Sequence, residues 1–146
     1  THSRNTEGAA LATLIVASLQ DMSQHLANVE QLAPRRIEAI RGRLEAGQWL
    51  STQAVDQNRL EQELIYYIER LDIAEETVRL AQHVDYFQAV METDRAEGKK
   101  LSFIAQEMGR EINTIGAKAN DAAIQKEVVL MKDALEKIKE QLYNIL

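Results

Sequence analysis

The chain has 146 residues, no Cys, and a net charge of −6 with an isoelectric point near 5.1. That length suits one domain with a real core, and the missing Cys rules out disulfides and thiolate metal sites. The overall acidity argues against non-specific nucleic-acid binding by bulk charge, and no apolar run approaches the ~20 residues that a membrane-spanning helix needs.

One Pro and six Gly in a chain that is 45% hydrophobic favour long helices over strands and tight turns. Charge is uneven along it. Residues 1–49 balance five Arg against five acids, residues 50–97 carry four Arg against eleven acids, and residues 98–146 carry eight Lys and Arg against seven acids. The acidic middle is compatible with a cation site, although a solvated helix face is the commoner cause of such a run. Thr1-His2-Ser3 does not start on Met and reads as an internal boundary, so the chain is expected to be part of something longer.

Residues 5–46 read as one long helix or two. Ile15, Leu19, Met22, Leu26, Val29 and Ala33 step by four and three, and the seam resumes at Ile37, Ile40 and Leu44. Pro34 predicts a kink or short break near Ala33, since proline lacks a donor and clashes with the preceding turn. Arg35, Arg36, Arg41 and Arg43 form the only arginine cluster. They suit phosphate, or a solvated face paired with Glu38 and Glu45. Gly47 to Val55 is the best loop candidate, and Trp49 within it is expected to anchor packing.

Residues 57–95 read as a second long helix. Leu60, Leu64, Tyr67, Leu71, Ala74, Val78 and Ala81 keep the rhythm, then the stripe shifts to Leu80, Val84, Phe87 and Met91. Helix-start character from Asp72 to Glu75 allows a bend there. Asp72, Glu76, Arg79 and His83 share a face by spacing. Such a face offers carboxylates for a cation, a guanidinium for phosphate and a titratable imidazole, although a lone helical His is more often structural. His2 and His25 have less support still.

After a polar break at 92–98, Leu101, Ile104, Met108, Ile112 and Ile115 form the packing stripe of a third helix. Glu107, Arg110, Glu111, Thr114 and Lys118 fall at steps of three and four beside it, so they share a face. On its own this stretch also fits a surface with local ion pairs. Gly116 and Asn120-Asp121 are placed to interrupt or cap it. In the last helix Ile124, Val128, Met131, Leu135, Ile138, Leu142 and Ile145 alternate four and three without a miss.

There is no strand alternation, Gly-rich phosphate loop, zinc spacing, internal repeat or evident Ser–His–Asp set. The expected fold is all-α: long antiparallel helices with coiled-coil-like packing, as a hairpin or bundle in a single domain over 1–146. The long seams also predict self-association. No continuous basic face or basic amphipathic helix supports DNA or membrane binding.

Several ordered blocks carry a resemblance. RLDIAEE at 70–76, Arg79-Leu80 with His83 and Phe87, GKKL at 98–101, Gln106-Glu107, Arg110-Glu111, NTIGAK at 113–118 and EKIKEQ at 136–141 resemble the C-terminal part of the bacterial YicC/YloC-like endoribonucleases. The likeness reaches back through Leu32-Ala33-Pro34 to Glu7-Gly8. Gly109 departs from the usual Asn, Ile112 from Ala and Ala117 from Ser. The resemblance implies a cytoplasmic RNase that cleaves single-stranded RNA, needs a divalent metal and assembles as a ring, a hexamer. It also implies that this chain is the C-terminal half of the whole.

Phosphodiester hydrolysis needs charge neutralised at phosphate and a nucleophile made available, and carboxylates holding Mg²⁺ or Mn²⁺ serve both needs. The metal-ligand candidates are then Glu76, Glu107 and Glu111, with Asp72 in reserve. Arg79, Arg110 and Lys118 are candidates to bind phosphate or developing charge, and His83 to act as general acid or base. A route in which the RNA 2′-hydroxyl attacks, with His83 and Lys118 moving protons and no metal, remains open. So does a non-catalytic helical domain that builds the oligomer and guides RNA.

Overall fold

The computed structural model describes residues 2–50, 61–62, 65, 73–93, 98–119 and 121–145. Side chains at 2–9, 40, 44–45, 47–50 and 145 lie outside that description. Four helices stand out among the described residues: α1 (His2–Leu50), α2 (Ala74–Met91), α3 (Gly98–Lys118) and α4 (Ala122–Ile145), with no strand. Each turns its apolar stripe inward, because helical periodicity puts the four–three positions on one side. The core is one cluster of Ile15, Leu19, Met22, Leu26 and Val29 from α1, Leu80, Val84 and Phe87 from α2, the α3 stripe and the α4 heptad from Ile124 to Leu142.

The helices form a closed square, α1 beside α4, α4 beside α3, α3 beside α2, and α2 beside α1. Neighbours run antiparallel. Gly116 of α3 sits against Val128 of α4, and Gly109 against Leu135. A Cβ at these glycines would meet side-chain carbons at 3.2 and 3.3 Å, so the absence of a side chain lets α3 and α4 approach closely. This gives Gly109 a packing role.

Several sequence expectations need correction. α1 continues through Pro34 without a break. The missing proline hydrogen bond costs about 3 kcal/mol in a helix interior, and the 49-residue helix tolerates it. There Glu30, Ala33, Pro34 and Ile37 meet Ile73, Ala74 and Thr77 around a small cavity of about 190 Å³. α1 also runs through Gly47 to Leu50, so the expected loop does not begin at Gly47. Positions 51–55 and the Trp49 side chain lie outside the described residues. The second long helix is broken: Ile73, with φ −114° and ψ 13°, stands outside the start of α2. Val78 is 54% exposed, and Ala74 is exposed with it, while Ile73 and Thr77 are buried instead. α3 passes through Gly116 uninterrupted.

The short turn from α3 to α4 is held by two side chains. Asp121 Oδ1 accepts hydrogen bonds from the Ala123 and Ile124 amides at 2.7 and 3.4 Å, capping α4. Gln125 Nε2 donates to the carbonyls of Gly116 and Ala119 at 2.6 and 2.7 Å, closing the end of α3. Asp121→Ala is expected to cost about 1 kcal/mol of stability by urea unfolding. Asp121→Asn should cost much less, because it keeps the cap. Equal costs would mean that the 3.7 Å approach of Asp121 to Arg36, rather than the cap, matters here.

Candidate active site

The antiparallel pairing of α2 and α3 brings four sequence-predicted residues into two cross-helix contacts. Lys118 Nζ donates to Glu76 Oε1 at 3.0 Å. His83 Nδ1 lies 2.5 Å from Glu111 Oε1, close but not aligned as a full hydrogen bond. Glu76 and His83 are seven residues apart, as are Glu111 and Lys118, so the contacts form two rungs about 10 Å apart along the helices. Both carboxylates sit low in the groove with side chains 8% exposed, while His83 and Lys118 reach the rim at 31% and 38%.

Each carboxylate uses one oxygen. Glu76 Oε2 and Glu111 Oε2 are buried with no hydrogen-bond partner. Burial pushes the Glu111 carboxyl above its ordinary value of 4.5; the nearby His83 opposes that rise, Glu107 adds to it and Arg79 opposes it. Glu107 and Arg79 therefore belong to the same electrostatic neighbourhood. At the rim, Arg79 Nη2 lies 3.5 Å from Glu75 Oε2, and Arg110 Nη1 lies 3.4 Å from Glu107 Oε1. Both guanidiniums stay largely in solvent, so these ion pairs are weak and exchangeable.

The rung by Glu111 can do acid–base chemistry. A carboxylate at Nδ1 favours the tautomer that leaves Nε2 as the proton acceptor. Arg79 lies close enough to act on Glu111, and Arg110 stands on the same helix as Glu111, paired with Glu107; both suit an anionic substrate. Lys118 is engaged with Glu76 about two turns away, so it does not serve the same reacting atom as His83.

The proposed metal ligands are not all brought together. Among the described residues no group of three or more His, Asp or Glu is arranged to hold an ion. The spacing of the rungs explains this for Glu76 and Glu111, since ligand oxygens must lie within about 2.0–2.6 Å of one cation. Glu107 and Glu111, one turn apart on α3, fit a sparser mode in which one or two carboxylates hold an ion and water and phosphate complete its shell. The partnerless Glu111 Oε2 suits that role. Asp72 lies outside the described residues.

One pairing has no signal in the sequence. His25 Nδ1 of α1 meets Glu127 Oε2 of α4 at 2.7 Å. The two are 102 residues apart, and nothing local to either points to the other.

A family profile described as "Endoribonuclease YicC-like, C-terminal" matches residues 28–146. The chain belongs to that family. It is 36% identical over 145 residues to the "Probable endoribonuclease YicC" of Clostridioides difficile (strain 630), covering 97% of this chain and 50% of that protein. It is 32% identical over 142 residues to the protein of the same name from Haemophilus influenzae (strain ATCC 51907 / DSM 11121 / KW20 / Rd), again covering 97% of this chain and 50% of the relative. The chain thus spans about half the length of these curated YicC relatives. No described helix is long and apolar enough to cross a membrane.

Proposed function

We propose that this chain carries the reacting face of a cytoplasmic endoribonuclease that cleaves single-stranded RNA with a divalent metal. The observation that carries the reading is the His83–Glu111 contact with Arg79 acting on the same carboxylate, in a chain of the YicC-like family. Glu111 fixes the imidazole. His83 Nε2 takes the proton of the attacking water, the new P–O bond forms, and the ribose oxygen leaves and takes a proton from solvent. Arg79 and Arg110 bind the phosphate oxygens and the charge that grows on them. Lys118 binds an adjacent part of the strand when it shifts from Glu76. Glu107 and Glu111 are the donors for Mg²⁺ or Mn²⁺, which when bound supplies charge neutralisation at the phosphate.

The test is cleavage of a labelled single-stranded RNA with Mg²⁺ or Mn²⁺, with EDTA, and with the same RNA carrying 2′-methoxy groups. Cleavage that needs metal and tolerates the methoxy groups is the expected result. Failure to cut the methoxy RNA, and indifference to EDTA, would support attack by the 2′-hydroxyl instead. A folded chain that cleaves no RNA with either metal would overturn the reading.

One observation favours a helical assembly domain as the second reading. Phe103, Val129 and Tyr143 are 61%, 55% and 82% exposed on the outside of the bundle. Exposed apolar side chains of this size suit packing against further copies, a homo-oligomer such as a hexamer. Sedimentation of wild type beside Phe103→Lys separates the two: assembly without cleavage supports this second reading.

A further inference from the structure

The arginine cluster noted in the sequence is not used by the His83 site. Its first member lies on the other side of the bundle, in a groove of about 360 Å³ between α1 and the first two turns of α4. We propose that this groove binds a phosphate of the RNA strand, with Arg35 and Lys126 as its cations. This rests on the endoribonuclease reading and adds a second anchoring point, away from the reacting phosphate.

Four observations support the assignment. Arg35 of α1 and Lys126 of α4 line the groove from opposite walls, and no ion pair engages either among the described residues. Amide groups line it too, from Gln31 and Asn28. Asn28 Oδ1 accepts from Gln24 Nε2 at 3.4 Å, so its Nδ2 hydrogens are the donors left for a ligand. The groove's single carboxylate, Glu127, is engaged by His25 at 2.7 Å, which offsets its repulsion of an anion. The groove also flanks the start of α4, where the helix dipole favours negative charge. Paired cations with neutral amide donors match phosphate oxygens. The location adds to this. Lys118 ends α3 and Ala122 begins α4 across the turn, so the groove and the Lys118–Glu76 rung sit at the same end of the bundle. An RNA strand passing that end would meet Lys126 and Arg35 after leaving the α2–α3 face.

The experiment is fluorescence anisotropy of the 146-residue chain with a 2′-methoxy single-stranded RNA in EDTA, at several salt concentrations. Wild type is compared with Arg35→Gln plus Lys126→Gln. The expected result is at least a tenfold drop in affinity. The slope of log K against log salt should fall by about 0.7 for each phosphate that the variant no longer neutralises. The melting temperature should not change. Unchanged affinity and slope in the double variant, with Glu111→Gln still lowering cleavage, would overturn the groove alone. No RNA binding by the folded wild type would overturn the groove and the nuclease reading together. Titrations with inorganic phosphate and with polyglutamate, followed by amide shifts at Arg35 and Lys126, separate ligand classes. Shifts with phosphate support the assignment, and shifts with polyglutamate alone overturn it in favour of an acidic protein partner.

Discussion

Glu111→Gln is expected to lower RNA cleavage by about 10²–10⁴-fold while the chain stays folded, the range over which a positioned acid–base group acts. The carboxylate does not itself move the proton. It orients His83 and stabilises the imidazolium that forms, so the variant should also displace the pH–rate profile, which a purely structural role would leave in place. His83→Gln should cost a similar factor. The double variant should cost little more than either alone, because the two residues act as a unit. Wild-type cleavage by Glu111→Gln would remove the dyad from the reaction.

The fold side of this prediction follows from the direction of the Glu111 shift. Burial raises its folded-state value above 4.5, so the native state binds more protons than the unfolded chain in that range. The contribution of Glu111 to stability is therefore full below its unfolded value. It is lost as pH rises through the raised one. At neutral pH the buried ionised carboxylate is a cost that Gln does not carry. Glu111→Gln should match or exceed wild type in urea unfolding at pH 7, and its stability should depend less on pH above 4.5. A large drop in stability at pH 7 would instead make the carboxylate a structural necessity.

Phe87→Ala is expected to cost about 3–5 kcal/mol, the largest effect of a single side chain in this bundle. Phe87 is fully buried toward the C-terminal end of α2 and joins the core shared by all four helices. Small domains are stable by about 5–15 kcal/mol, so much of the population should unfold in mild denaturant. Phe87→Leu should keep most of the stability. Val78→Ala, on the exposed side of the same helix, should change it by no more than about 0.5 kcal/mol. Equal effects at 78 and 87 would reverse the orientation of α2.

The contrast between these two positions shows what periodicity can reveal. In α4 the four–three rhythm from Ile124 to Leu142 is unbroken, and every member is buried. In α2 the same rhythm, carried forward from Leu60 through Val78, points to the wrong face. Periodicity assumes a continuous helix, and the chain breaks at Ile73. The proline and glycine signals mislead for a related reason. Local preference is worth a few kcal/mol at most, and the rest of the 49-residue α1 outweighs it.

The site is legible in the sequence as a set of residues and not as pairs. Spacing places Glu76 and His83 on one face, and Glu111 and Lys118 on another. It says nothing of which residue meets which, because that depends on how α3 lies along α2. Spacing therefore offers Glu76 and Lys118 separately and gives no sign that Lys118 Nζ donates to Glu76 Oε1. His25 has no signal at all, since its partner is on a helix at the other end of the chain.

The two rungs also act as a key. Helices with regular apolar stripes can slide past each other by one turn, about 5.4 Å, with little change in burial. Here the acid and base alternate in opposite senses on α2 and α3, at the same interval of seven residues. Sliding α3 one turn in one direction sets Glu76 opposite Thr114; in the other it sets His83 opposite Ile115. Either slip strands a buried carboxylate without its cation, a penalty of several kcal/mol. The charges thus index the two helices to a single alignment, which apolar packing alone would leave nearly degenerate.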